Sequence, residues 1–117
     1  SSVSYFDLSK ESEKFYHVFM IGLVANFQER YYIKSNRESG EGRYDLALEP
    51  RDRRKTGLLL EFKVANSEEE LDKKAKEALL QIQEKRYDTE MQERGIQEIV
   101  KLGIAFCGKR VKVITKE

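Results

Sequence analysis

The sequence predicts an α/β domain with a mixed central sheet flanked by helices, in the order helix, three strands, helix, a weaker helical segment and two strands. Three observations carry this. Two well-separated segments place apolar residues at helical spacing and carry acidic residues or a capping pattern where each is expected to start. Around them run stretches of strand length that are either alternating or continuously apolar. The 117 residues contain a single proline, Pro50, and no repeat or low-complexity linker, so the elements are expected to share one core.

The first segment, SKESEKFYHVFMIGLVANFQERY, is apolar on most sides from Phe15 to Phe27, with Glu11 and Glu13 where its first turn is expected. It reads as a mostly buried helix whose N-terminal dipole is complemented by acid. YYIKSNRE reads as a short strand, broken by SGEG. RYDLALE alternates Tyr44, Leu46 and Leu48 with Arg43, Asp45, Ala47 and Glu49, the period of a half-buried strand. The polar loop EPRDRRKTG is short enough to make GLLLEFKV its antiparallel hairpin partner.

Ser67 followed by Glu70 forms a capping-box pattern. The helix it opens runs through LDKKAKEALLQIQEKRY, with an apolar stripe of Leu71, Ala75, Ala78, Leu79 and Ile82. A weaker helical segment is expected from Thr89 to Val100, broken near Gly95. LGIAFC reads as a strand with Cys107 in its core, and Gly108-Lys109 as a two-residue turn into RVKVIT.

Composition narrows the function. Hydrophobic residues make up 39% and charged residues 37% of the chain, and the net charge is +1. That balance excludes a disordered tail and a global field attracting nucleic acid or an anionic membrane, so any such binding must be local. The single Cys107 excludes an internal disulfide and fits a reducing, cytoplasmic setting. The apolar run Phe19 to Ala25 is too short to span a bilayer. No CxxC, HExxH or glycine-rich phosphate loop occurs, so ATP binding by this segment is not supported. The chain starts without Met and is expected to be part of a longer protein.

The chemistry concentrates in GLLLEFKV. Glu61 and Lys63 interrupt an otherwise apolar strand and, being two residues apart, share a face roughly 7 Å apart. Burying either charge costs several kcal/mol unless it is partnered, neutralised or bound to a metal. The expected hairpin brings Asp45 to the same side. Two carboxylates and an amine suit Mg²⁺ or Mn²⁺, with the lysine near the attacking water; the competing reading is a solvated, charged strand face. His17, in an apolar helix, reads as a packed histidine rather than a base. The basic runs Arg51, Arg53, Arg54, Lys55 and Lys109, Arg110, Lys112 are either phosphate contacts or solvated hairpin tips.

An acid on one strand, Asp45 in GRYD, followed on the next by Glu61-Phe62-Lys63, resembles the E-x-K pattern of the PD-(D/E)XK nuclease superfamily. The ordered blocks KFYHVFMIGLVA, SNRESGEGRYDLALEP, LLLEFKV, ALLQIQEKRY and GIAFCGKRV are similar to its bacterial nuclease-like domain found C-terminal to an AAA-ATPase-like domain, over nearly the whole chain. Tyr44 stands where the nominal proline would be.

The resemblance implies a restriction-endonuclease-like core filling residues 1–117, at the C-terminal end of a longer protein with an N-terminal ATPase-like domain. It implies metal-dependent hydrolysis of DNA, with linear, single-stranded and branched substrates and RNA all open, and a homodimer where both strands are cut. Asp45, Glu61, Lys63 and Gln81 would be catalytic, and Asp45, Glu61, the Phe62 carbonyl and Glu13 would hold the metal. Glu38, Tyr87 and His17 would support the site, while Gly42, Arg43, Arg51, Arg53, Arg54 and Lys55 would contact nucleic acid. The alternative is a weak or inactive nuclease fold serving as an interaction module, which leaves the joint presence of Asp45, Glu61, Lys63 and Gln81 unexplained.

Overall fold

Alternating side chains give the central sheet two different faces in a computed structural model that describes residues 4–38, 43–84 and 86–116. The strands are β1 (Tyr31–Glu38), β2 (Arg43–Pro50), β3 (Gly57–Val64), β4 (Ile99–Cys107) and β5 (Arg110–Lys116). They lie side by side in chain order. Only β3 and β4 are parallel; the other neighbours are antiparallel. A parallel step needs a crossover, and here it is made by α2 (Leu71–Glu84) and α3 (Tyr87–Glu93), which lie between β3 and β4 in sequence. The chain enters through α1 (Ser4–Phe27). This is the restriction-endonuclease-like α/β arrangement expected from the sequence.

On one face Tyr44, Leu46, Leu48, Leu60, Phe62, Ile104 and Phe106 are buried, and Phe19, Met20 and Leu23 of α1 pack against them. Phe19 meets Phe62 edge to face, with ring centroids 5.1 Å apart. Each such apolar side chain, when fully buried, contributes about 1.5–3 kcal/mol. On the other face Ala47 and Leu59 pack with Ile82 of α2, Met91 of α3 and Ile96. The crossover therefore covers the face opposite α1.

That cover is close because its contact residues are small. Ala75 and Ala78 are fully buried on α2. Gly103 of β4 lies beneath them: a Cβ there would collide with the Ala75 carbonyl oxygen and lie 2.6 Å from the Leu79 nitrogen. Gly103 pairs in register with Glu61, so the same close approach seals the charged position of β3.

Several local expectations differ from the structure. Helix α1 begins at Ser4, which puts Glu11 and Glu13 beyond its first turn. It is not mostly buried either: Val18 and Ile21 are 71% and 69% exposed. A helix resting on one sheet can bury only one stripe, and these residues lie off it. His17 is exposed rather than packed for the same reason. The Ser67 side chain makes no cap hydrogen bond, and a 3-10 turn, Glu68–Glu70, precedes α2. Glu70 instead accepts from the Asn66 amide at 3.3 Å. Helix α2 ends at Glu84, and the next helix is Tyr87–Glu93, not Thr89 to Val100. Gly95, at φ +96°, turns the chain out of helical geometry, and β4 claims Ile99 and Val100. Cys107, the last residue of β4, is half-buried rather than core. The hairpin at Gly108-Lys109 forms as expected, with Gly108 at φ +57°. Among the described residues no helix is long and apolar enough to cross a membrane.

Gly103→Ala tests the close packing. Overpacking a tight contact costs about 1–3 kcal/mol; here one of the clashing partners is helix backbone, which cannot rotate away. A lowered denaturant midpoint with unchanged slope is the expected outcome, and an unchanged midpoint would show that α2 stands further off.

Candidate active site

The register of β2 against β3 decides the site. Asp45 pairs directly with Glu61, so both side chains leave the sheet on the α2 side. Opposed residues in an antiparallel pair have Cβ atoms about 4.5–5.5 Å apart, and like charges there repel. Both carboxylates are nevertheless shielded from water, Asp45 at 3% and Glu61 at 0% exposure. Leu59 beside them on this face is also fully buried. The solvated-strand reading fails on that burial.

Each acid is covered by a different element. Over Glu61 lies α2, drawn in by Gly103. Asp45 is met by Tyr87 at the start of α3, whose hydroxyl donates to Asp45 Oδ1 at 3.2 Å. Burial, then the Asp45 charge and this hydrogen bond, push the Tyr87 phenol up to about 12, with Glu90 adding to the shift; a hydrogen bond with Asn36 acts in the opposite direction. Asn36 is the β1 residue paired with Asp45. Asn36, Asp45, Glu61 and Gly103 thus form one row across four strands.

Lys63 projects from the same face as Glu61, and its side chain is 14% exposed. Its Nζ lies 3.7 Å from Glu77 Oε2 on α2, and Lys74 Nζ reaches the same oxygen at 3.3 Å. The Lys74 hydrogen bond first, then the charges of Lys74, Lys63 and Lys73, hold the Glu77 carboxyl below the usual range against an opposing desolvation effect. Glu77 therefore anchors the ammonium, a role that the strand motif alone did not suggest. Gln81, one turn further along α2, is half-buried. Its Oε1 is buried and has no hydrogen-bond partner among the described residues. A buried amide oxygen left this way costs about 1–3 kcal/mol, which suits a group that accepts from a bound molecule.

The donor set fits a hard divalent cation: two buried carboxylates set opposite one another supply the oxygen ligands it takes. Among the described residues no cluster of three His, Cys, Asp or Glu side chains forms a ready-made metal cage. Phe62 turns its ring to the opposite face, against Phe19, and has only its backbone carbonyl to offer. Gly42 and the side chains of Glu13, Glu38 and Arg43 lie outside the described residues. His17, on the helix that covers the Phe62 face, is not brought to the carboxylates.

The basic loop lies elsewhere. From Asp45 to Pro50 the strand extends about 17 Å, and the loop follows. Arg51 donates from Nη2 and Nε to the Gln28 carbonyl at 3.0 and 3.3 Å. Arg54 grips Asp52 through two 3.0 Å bonds, while the Arg53 stem passes Gly95. Lys55 lines a pocket of about 460 Å³ with Arg30 and Arg51 at this far end. Arg51 and Arg54 thus act first in holding the loop.

With this geometry established, the family to which the chain is similar can be stated. The model of the PD-(D/E)XK nuclease superfamily matches residues 11–116. No curated protein and no solved structure matches the chain.

The Tyr87–Asp45 contact has a titration signature. The neutral phenol is favoured in the folded state, so the stability linked to it is fully present below pH 10 and lost as pH rises toward about 12. In metal-free protein, tyrosinate absorbance should show one late-ionising tyrosine that is missing in Tyr87→Phe. Asp45→Asn should move that step back toward the ordinary value. Superimposable curves for all three proteins would contradict the contact.

Proposed function

The chain belongs to the PD-(D/E)XK nuclease superfamily, and from that premise we propose that it is a metal-dependent nuclease hydrolysing phosphodiester bonds in DNA. The observation that carries the reading is the buried, face-to-face pair Asp45 and Glu61 with Lys63 on the same face. Asp45, Glu61 and the Phe62 carbonyl would hold Mg²⁺ or Mn²⁺. When bound, the cation supplies Lewis acidity toward a phosphate oxygen and toward water.

The remaining work falls to the chain's own groups. Gln81 Oε1 accepts a hydrogen bond from the attacking water and orients it. Water adds to phosphorus and gives up a proton, negative charge builds on the phosphate oxygens, and one ester P–O bond breaks as its oxygen takes up a proton and leaves as a hydroxyl. The Lys63 ammonium, held by Glu77, stabilises that charge in a site screened from solvent, where such a group is worth most. Tyr87 fixes the Asp45 carboxylate by donating to Oδ1. An interaction module without activity would need neither the opposed acids nor the open Gln81 oxygen.

Lys63→Met separates the two cases. It keeps the length and apolar stem of the side chain, so metal binding measured by Mn²⁺ calorimetry should survive, while cleavage falls by roughly a hundredfold or more. Asp45→Ala should abolish Mn²⁺ binding. Wild-type cleavage by Lys63→Met, or unchanged Mn²⁺ affinity in Asp45→Ala, would overturn the assignment.

A further inference from the structure

Beside Asp45, between α3 and the edge strand β1, lies a pocket of about 190 Å³ that the proposed chemistry does not use. Its floor is apolar, formed by Ala47 and Met91, and Tyr32 and Tyr87 contribute aromatic walls. Tyr32, Lys34 and Asn36 alternate along β1 and therefore face the same side as Asp45. Tyr87 joins the two regions, lining the pocket with its ring while its hydroxyl donates to Asp45.

The chemistry of the walls is specific. Tyr32 is 56% exposed, an unusual cost for an aromatic ring, and Arg51 holds it by stacking 4.0 Å from its centroid. Lys34 Nζ sits 5.5 Å from the centroid of the Tyr87 ring. Glu49, which also lines the pocket, is bound by Arg94 through Nε at 2.9 and 2.8 Å, so its charge is already answered. Glu90 remains on the α3 rim. The result is an aromatic-walled cavity with Lys34 in its lining, on the same face as the carboxylates. Aromatic platforms beside cations are how proteins hold single strands, since every base has a stackable face and its phosphates need positive charge.

We infer that this pocket receives an unpaired nucleobase next to the scissile phosphate, so that the substrate is single-stranded DNA or a single-stranded segment of a larger DNA. Tyr32 supplies the stacking surface, and Lys34 meets a flanking phosphate. The inference rests on the nuclease reading for the word substrate, but the binding it requires is measurable without cleavage.

The experiment uses the full chain carrying Glu61→Gln to block cleavage, and fluorescence anisotropy with labelled oligothymidylate and with a duplex of equal length. Single strand should bind more tightly than duplex. Adding Tyr32→Ala should weaken single-strand binding by about tenfold or more, the scale of losing one stacked base, while Tyr32→Phe retains it. Adding Lys34→Ala should lower affinity and flatten its salt dependence. Equal affinity for duplex, or single-strand affinity unchanged by Tyr32→Ala, would overturn the inference. Cleavage of none of these DNAs by the wild-type chain with Mg²⁺ or Mn²⁺ would instead sink the nuclease reading while leaving Tyr32-dependent binding intact.

Discussion

Two carboxylates are fixed face to face in a part of the sheet that excludes water. The β2–β3 register sets Asp45 against Glu61, and slipping it by one residue would turn every side chain of a strand to the other face. Tyr44, Leu46 and Leu48 would then leave the core shared with α1. The apolar face therefore holds the acidic face in register. A sheet that needed only stability would place apolar residues at both positions, as it does one step away at Ala47 and Leu59.

The neighbouring elements are arranged around that pair. Gly103 lets α2 lie directly over Glu61, which brings Gln81 and Glu77 to the acidic face and gives Lys63 an anchor. The break after Glu84 turns the chain so that Tyr87 can donate to Asp45. Had α2 continued through Tyr87, as its sequence suggests, that hydroxyl would have followed the helix axis instead of folding back on β2. The same turn sets α3 beside β1 and opens the tyrosine-walled pocket.

Strand periodicity and the short RDRRK loop were enough to read the β2–β3 hairpin, and with it the shared face of Asp45, Glu61 and Lys63, from the sequence. The stripe of α2 was equally readable because Ala75, Ala78 and Ile82 fall at helical spacing. Other features had no such signal. The outward exposure of Val18 and Ile21 depends on how many layers cover α1, which local apolarity does not record. Glu77, Asn36 and Gly103 matter through register and helix approach, and as isolated residues they look like an ordinary surface acid, amide and strand glycine. Tyr32 and Lys34 read as plain strand residues until β1 is seen at the sheet edge beside α3. A glycine interrupting the apolar strand LGIAFC was the one available hint, since it marks a close backbone approach.

The account stands on the claim that the Asp45–Glu61 pair is strained without a cation and relieved by one. Thermal unfolding of wild type and Glu61→Gln, each with and without Mg²⁺, addresses it most directly. Removing one of two opposed like charges should make the metal-free variant melt a few degrees above wild type, as expected for about 1 kcal/mol in a domain of this size. Mg²⁺ should raise the melting temperature of wild type and leave Glu61→Gln nearly unmoved. A metal-free Glu61→Gln protein that melts below wild type, together with no response of wild type to Mg²⁺, would contradict the claim.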